Sequence, residues 1–134
     1  GFHRHNSEIE QELNNYTKKK LSITFTPHLS PMFKGILSTI YIETHKTSSL
    51  SMLNNALKKT YLNKSFIKLK KNNTYLSTND VINTNNCNIS ICKTKYKNKF
   101  IILSAIDNLI KGGAGQAVQN MNIKFNLPES KGLK

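Results

Sequence analysis

The fold is decided by the stretch CNISICKTKYKNKFIILSAI, which spans residues 87–106. Its first part alternates apolar and polar residues, and its last part is almost continuously apolar. Alternation is typical of a half-buried strand, and a short apolar run between polar residues is typical of a buried one. The pattern therefore predicts strands over Cys87–Lys93 and Lys99–Ile106, and Lys97-Asn98 suits the turn of a hairpin between them.

The N-terminal residues predict a helix and then a strand. Ser7-Glu8-Ile9-Glu10 has the S-x-x-E form of a capping box, which indicates a helix over about residues 7–16. Residues 21–25 then alternate between apolar and polar side chains. This alternation predicts a strand that ends at Pro27.

The middle of the chain predicts two further strands around a second helix. A strand extends from Gly35 to about Glu43, and Ser48 or Ser49 caps a helix with leucines at helical spacing over residues 50–57. A short strand follows over Phe66–Lys70. The polar stretch that continues to Asn86 is long enough to indicate a functional or interface loop.

The chain ends in a third predicted helix. Gly112-Gly113-Ala114-Gly115 opens it, its apolar side is Val118, Met121 and Phe125, and Pro128 closes it. The order of helices and strands predicts an α+β fold in which a mixed or antiparallel sheet is covered by helices.

Length and composition indicate one domain over residues 1–134. Hydrophobic residues make up 37% of the 134, enough for one modest core. No apolar run approaches the roughly 20 residues that cross a bilayer, and no leader precedes the first helix, so we expect a soluble protein with no membrane partner. The first residue is Gly1, which suggests an excerpt of a longer chain or a processed product.

The net charge of +13 raises nucleic acid as a partner. Nineteen of the 20 basic residues are lysine, however, and Arg4 is the one arginine. Proteins that recognise bases and phosphates favour the planar guanidinium of arginine for these contacts. The lysines of this chain are also scattered rather than interleaved with aromatic residues. We favour a solvated basic surface and no nucleic-acid partner. A small basic module that binds nucleic acid or an acidic partner is the alternative.

Cys87 and Cys92 are the two cysteines. Five positions apart on a predicted strand, they face opposite sides of the sheet and cannot share a metal or form a disulfide. We expect ordinary thiols in a reducing compartment. His3 and His5 lack a nearby Cys or Asp, so we expect no zinc site there either.

Reactive side chains concentrate at three places. His3-Arg4-His5 precedes the first helix, where a histidine can act as a general base or help to hold an anion. A surface cluster or tag remnant is the alternative. Residues 25–31 form a loop with a histidine between two prolines, either a wall of a site or a structural turn. Asp107-Asn108 precedes the glycine run, which fits neither a dinucleotide fingerprint nor a Walker A loop and is explained equally well by tight helix packing.

Four ordered motifs together resemble the N-acetyl-gamma-glutamyl-phosphate reductase family. They are GFHRHNSEIEQ at residues 1–11, FTPHLSPM at 25–32 with GIL at 35–37, TNNCNI at 84–89, and AIDNLIKG at 105–112 with AVQ at 117–119. The resemblance runs almost from end to end. It implies a C-terminal domain like that of glyceraldehyde-3-phosphate dehydrogenase.

The resemblance also implies a reaction and the residues that serve it. In this family a cysteine thiolate attacks the acyl phosphate, and NADPH reduces the thioester to N-acetylglutamate semialdehyde, a step of arginine biosynthesis. His3 resembles the catalytic histidine, while Arg4, His5 and Glu8 resemble substrate-binding or orienting residues. Asn108 and Gly112 resemble positions that meet the cofactor.

One departure from the family limits what this chain can do alone. The dinucleotide-binding half and the Pro-Gly-Cys nucleophile should precede Gly1, and neither Cys87 nor Cys92 falls on the nucleophile motif. We therefore expect the substrate and oligomerisation part of a homo-oligomeric enzyme of the cytoplasm or an organelle interior, inert by itself. Residues 107–125 would return to pack on the cofactor half, which binds most of the NADPH.

Overall fold

The structure is a computed structural model that describes residues 3–134. It divides into two compact units, a short one that ends at Met32 and a larger one over Phe33–Lys134. The α-helices and strands, in chain order, are α1 (Arg4–Thr17), β1 (Ile36–Glu43), α2 (Leu50–Thr60), β2 (Ile67–Leu69), β3 (Cys87–Lys93), β4 (Lys99–Ile106) and α3 (Gly115–Lys124). A short 3-10 helix covers Thr78–Asp80, and one π-helical turn covers Ile110–Ala114.

Helix α1 begins three residues before the predicted start. His3 is its N-cap, and the Nδ1 atom of His3 accepts a hydrogen bond from the backbone N–H of His5 at 3.2 Å. The capping box predicted at Ser7 is therefore wrong. Ser7 lies in the first turn, where its hydroxyl donates to the carbonyl of Arg4 at 3.0 Å. The helix itself is confirmed.

The strand predicted over residues 21–25 is wrong, although the backbone there belongs to no helix. Its alternate N–H groups donate to side chains of α1 instead of to a neighbouring strand. The pairs are Leu21 to Asn14 at 2.6 Å, Ile23 to Glu10 at 2.9 Å and Phe25 to Asn6 at 3.3 Å. Acceptors four residues apart lie on one side of a helix, so they match an extended segment that runs along it.

The second unit contains a four-stranded mixed sheet in the order β1-β4-β3-β2. Strand β4 pairs antiparallel with β1 and β3, whereas β2 pairs parallel with β3. The hairpin and both other strands of this unit are thus confirmed, as is the α+β class. Ser49 caps α2 by accepting from the N–H of Met52 at 3.2 Å, which confirms one of the two predicted caps.

The core lies around β3 and β4. Its most buried apolar side chains include Val81, Ile91 and Ala105. The polar stretch before β3 follows that strand closely, since the N–H of Asn73 donates to the carbonyl of Ile91 at 2.8 Å. The backbone at the start of this stretch therefore continues the hydrogen bonding along β3.

The predicted apolar side of the last helix is wrong. Met121 is 47% exposed and Phe125 is 68% exposed, while Gln119 and Asn122 are buried. The reason is the tail that follows the helix: the amide of Asn122 donates to the carbonyls of Glu129 and Lys131 at 3.1 and 2.9 Å. Buried polar side chains need hydrogen-bond partners, and the tail supplies those of Asn122.

Candidate functional site

The first candidate cluster lies at the start of α1. The ring centroids of His3 and His5 are 4.8 Å apart, and those of His3 and Phe25 are 5.3 Å apart. The structure thus brings the H-R-H motif together with the start of the FTPH motif within the first unit. Aromatic packing and the N-cap bond together fix the orientation of the His3 ring.

The N-cap bond also determines which nitrogen of His3 carries the proton. A backbone N–H can only donate, so Nδ1 is the acceptor and the neutral ring holds its proton on Nε2. Within residues 3–134, Nε2 makes no hydrogen bond. In this tautomer Nε2 is a hydrogen-bond donor, and it can accept a proton only when the cap bond opens and the ring carries its proton on Nδ1 instead.

Arg4 and Glu8 form an ion pair on the exposed side of α1. The Nε atom of Arg4 lies 3.6 Å from Oε1 of Glu8, and the two side chains are 83% and 59% exposed. An exposed pair at this spacing contributes little to stability. The guanidinium remains accessible to an anion, with Glu8 limiting the orientations it can adopt.

The second candidate cluster surrounds the buried carboxylate of Asp107. Its oxygens accept from the N–H groups of Asn83, Leu109 and Ile110 at 2.8 to 3.0 Å, and Lys34 Nζ lies at 3.2 Å. Burial by itself raises the pKa of Asp107, but these hydrogen bonds and Lys34 outweigh it and lower the pKa to about 2. The carboxylate is therefore a structural anchor rather than a proton carrier.

Asn108 lies next to this anchor and is held by Gly35. The N–H of Gly35 donates to Oδ1 of Asn108 at 2.7 Å. Gly35 has a φ of +112°, and a Cβ at this position would lie 2.7 Å from that of Thr78. Glycine is thus required here on both counts. The sequence placed Gly35 at the start of a strand and within a motif, but no local pattern indicates this contact.

Gly112 and Gly115 differ in the space around their backbones. A Cβ at Gly112 would meet other atoms only at 3.6 Å or beyond, an ordinary contact distance. A Cβ at Gly115 would lie 2.5 Å from Oδ1 of Asn85 and 2.8 Å from the carbonyl oxygen of Ile110. The close backbone approach expected of this run is therefore made at Gly115. The N–H of Gly112 donates to the carbonyl of Asp107 at 2.9 Å.

A buried polar network that the sequence did not reveal lies on the inner side of α3. Oε1 of Gln119 accepts from Asn85 and from Lys111 at 2.8 and 2.7 Å, and Nε2 of Gln119 donates to Glu129 at 2.7 Å. Burial lowers the pKa of Lys111, although Cys87 and Glu129 nearby favour its charged form. The network holds the C-terminal tail against the helix. The spacing of Gln119 and Asn122, three residues apart in α3, is the signal in the sequence that could have indicated a polar inner side.

Both cysteines are free thiols on β3, with Cys92 buried and Cys87 half-buried. Among residues 3–134, no three His, Cys, Asp or Glu side chains group in a way that could hold a metal ion. None of the helices described for the same residues combines the length and the apolar character needed to cross a bilayer.

Curated relatives resemble the chain over its whole length. An N-acetyl-gamma-glutamyl-phosphate reductase of Geotalea daltonii is 48% identical over 134 residues, which are 100% of this chain and 39% of the relative. The reductase of the same name from Thermoanaerobacter pseudethanolicus is 45% identical over 131 residues, 98% of this chain and 38% of the relative. A reductase of the same name from Halothermothrix orenii is 44% identical over 135 residues, which are 100% of this chain and 39% of the relative. The chain thus spans about 39% of the length of relatives such as these.

A sequence model of a domain family gives the same assignment. The semialdehyde dehydrogenase dimerisation domain matches residues 1–108, well over half of the chain. This range includes the H-R-H motif, the whole sheet and the Asp107-Asn108 pair. The chain belongs to the family of the semialdehyde dehydrogenase dimerisation domain.

Proposed function

We propose that this chain is the C-terminal part of an N-acetyl-gamma-glutamyl-phosphate reductase of arginine biosynthesis. The observation that carries the proposal is the similarity to proteins of that name at 48% identity over 134 residues. The relatives are longer, and the rest of their length leaves room for a cofactor-binding half with the nucleophilic cysteine. NADPH bound to that half would supply the hydride.

His3 is the residue we assign to proton transfer. In the capped tautomer Nε2 already carries a proton, so to act as the base the ring must give up the bond from His5 and carry its proton on Nδ1; Nε2 then takes the proton from the attacking thiol and later returns it. Packing against Phe25 holds the ring in place, with 5.3 Å between the centroids. An imidazole is suited to this work because it gains and loses a proton near neutral pH.

Arg4, His5 and Glu8 are the residues we assign to the substrate. N-acetyl-gamma-glutamyl phosphate carries a carboxylate and a phosphoryl group, both of which a guanidinium binds through paired hydrogen bonds. The exposure of Arg4 leaves its guanidinium free to do so, and the ion pair with Glu8 restricts its position. His5 lies beside His3 and offers a further donor.

Asn108 and the last helix are the parts we assign to the cofactor side. The Nδ2 atom of Asn108 has no acceptor within residues 3–134, so a donor remains for the carboxamide of a nicotinamide ring. Gly112 belongs to the turn after Asn108 and adds no side chain that could obstruct it. Helix α3 exposes Met121 and Ile123, and the residue that follows it, Phe125, is exposed as well. An apolar surface of this kind fits packing of residues 107–125 on a dinucleotide-binding domain.

We also infer a homo-oligomer, since the matching family is described as a dimerisation domain. Strand β1 supports this, because Ile36, Leu37, Ile40 and Tyr41 are between 44% and 77% exposed. Exposed apolar residues along the edge of a sheet are typical of an interface. Sedimentation of the full-length protein should give at least twice the protomer mass, and a monomer at micromolar concentration would contradict the inference.

The experiment for the reaction uses the full-length protein that contains this chain. In the oxidative direction, N-acetylglutamate semialdehyde, phosphate and NADP⁺ should together yield NADPH, and omission of phosphate should stop its formation. Phosphate is needed because it releases the acyl group from the thiol. Absence of NADPH formation from the folded protein, or formation that ignores phosphate, would overturn the proposed function.

A further inference from the structure

The second unit gathers lysines from separate parts of the sequence around one cleft. The cleft has a volume of about 620 Å³ and lies between the start of α2, Asn72 and the hairpin of β3 and β4. Lys46 lines it on the side of the helix, and Lys93, Lys95 and Lys97 line it on the side of the hairpin. Among the residues that the structure describes, no Asp or Glu lines it. We call this feature the lysine cleft.

A smaller cleft adjoins the lysine cleft and has the same character. Its volume is about 340 Å³, and Asn72 lines both clefts. Lys58, Lys70 and Lys71 line the smaller one, again without an acidic side chain from the described part of the chain. The sequence explains this, because residues 44–106 contain eleven lysines and a single acidic residue. The positive charge of the protein is therefore concentrated in this region, where the lysines raise the potential together.

The charges of the lysine cleft are not neutralised by the protein itself. Within residues 3–134, none of its four lysines forms an ion pair. Glu43, the acidic residue that precedes this region, is paired with Lys99 at 3.4 Å and accepts from Nδ2 of Asn98 at 3.1 Å. Like charges held around one cleft repel each other, and a bound anion relieves that repulsion. An anion with several charges therefore suits the cleft better than one with a single charge.

Hydrogen bonds hold the hairpin wall of the cleft in place. The hydroxyl of Thr94 donates to the carbonyl of Lys99 at 2.8 Å and accepts from the N–H of Tyr96 at 3.1 Å. The N–H of Lys93 donates to Oδ1 of Asn73 at 2.9 Å. These bonds tie the turn to itself and to the neighbouring segment. A wall that is formed before binding lowers the entropy that a ligand must offset.

The cleft also offers apolar surface. Leu50 and Phe100 line it, as does the ring of Tyr96, which is 55% exposed. The Nζ atoms of Lys95 and Lys99 lie 5.2 and 5.6 Å from the centroid of that ring. An exposed aromatic ring thus lies among cations, in a cleft with the volume of a typical small-molecule site.

We propose that the lysine cleft binds an organic polyphosphate, that is, a small molecule with several phosphate groups on an apolar body. The ammonium groups of Lys93, Lys95 and Lys97 bind the phosphates as point charges, and the ring of Tyr96 contacts the apolar body. None of these residues is among those assigned to the reaction. The inference goes beyond the proposed function and does not depend on it.

The test is calorimetric titration of the full-length protein with ATP at about 0.1 M salt, a concentration that screens distant charges. The hairpin variant combines Lys93→Gln, Lys95→Gln and Lys97→Gln. The matched control replaces the three exposed lysines of residues 18–20, in the first unit, by Gln. Both variants lose the same charge, and binding of ATP elsewhere contributes equally to all three proteins. Any difference between the variants therefore reports the position of the charges.

The hairpin variant should bind ATP about tenfold more weakly or worse, and the control should stay within about twofold of the unchanged protein. Tyr96→Ala should weaken ATP severalfold and leave the affinity for inorganic tripolyphosphate, which has no apolar body, within about twofold. If the hairpin variant does not fold, Lys46→Gln replaces it with Lys18→Gln as its control, and about threefold weakening is expected for Lys46→Gln alone.

Three results would overturn the inference. One is equal ATP affinity in the unchanged protein and the hairpin variant, or in Lys46→Gln and Lys18→Gln where these are used. Another is equal weakening in the variant and its control, since total charge and not the cleft would then attract the anion. The third is single-stranded RNA or polyglutamate that binds more tightly than ATP and depends on the hairpin lysines, since the surface would then serve a macromolecule. Unchanged ATP affinity in Tyr96→Ala would overturn the assignment of an organic body.

Discussion

Replacing Asp107 by Asn removes the charge from the most strongly held carboxylate of the second unit. The pKa of Asp107 is lowered from 3.8 to about 2, close to two units, and each unit corresponds to about 1.4 kcal/mol of folding free energy. Asn also replaces the oxygen that accepts from the N–H of Asn83 at 2.8 Å, but that bond is one of the causes of the lowered pKa, so its loss is already included. We expect a total loss of about 2.5 kcal/mol at neutral pH, or about 10 °C in Tm.

The pH dependence of this loss has a definite sign. A carboxyl group whose pKa is lowered by folding stabilises the protein above its unfolded pKa of 3.8, and the stabilisation disappears as the pH falls toward 2. The difference between the two proteins should therefore stay constant from about pH 7 to pH 5. It should shrink steadily below that range.

Urea denaturation of the chain, followed by circular dichroism between pH 7 and pH 3, measures both effects. Asp80→Asn is the matched control, because Asp80 is exposed and contacts the N–H of Ser77 only at 3.4 Å. We expect the control to cost less than about 1 kcal/mol. Equal losses in the two variants, or a loss for Asp107→Asn that does not shrink in acid, would refute the reasoning.

Three further substitutions test other parts of the account. Gly115→Ala should destabilise the chain by about 2 kcal/mol or more, because its Cβ would overlap Asn85 and Ile110. Gly112→Ala should be near neutral, because a Cβ there meets other atoms only at ordinary contact distances. Equal Tm values for the two variants would contradict this expectation. Glu10→Ala should speed hydrogen exchange of the Ile23 amide severalfold and leave β4 amides unchanged, since Ile23 loses its acceptor at 2.9 Å; unaltered exchange at Ile23 would show that the contact is unimportant.

The sheet could be predicted from the sequence because its pattern is local. The alternation in residues 87–93 and the apolar run in residues 100–105 each specify a strand, and the short polar link between them specifies a hairpin. The same alternation misled at residues 21–25. Alternation of apolar and polar residues indicates an extended backbone, but it does not tell which acceptors bind the backbone N–H groups. Here side chains of α1 such as Glu10 are the acceptors.

The inner side of α3 could not be predicted for a related reason. Gln119 and Asn122 become good interior residues only because Asn85 and the tail after Pro128 provide partners. These partners lie between 7 and 34 positions away along the chain, outside the helix, and helical spacing contains no information about them. The apolar residues of the helix were therefore assigned to the wrong side.

The candidate residues were located by motif, and the structure adds how they are held. His3 and Asn108 could both be named from the sequence. The bond between Gly35 and Asn108 joins residues 73 positions apart, and no local pattern indicates it. The N-cap bond that fixes the His3 ring was also missed, because the capping box at Ser7 indicated a later start for the helix.

The most direct test of the central claim is the turnover number of His3→Ala in the full-length protein, measured as phosphate-dependent oxidation of N-acetylglutamate semialdehyde. Loss of the proton carrier should lower kcat by about 10²-fold or more with a smaller change in KM. The exposed His45, replaced by Ala, is the matched control and should stay within about twofold of the unchanged protein. Equal turnover in His3→Ala and His45→Ala would contradict the account.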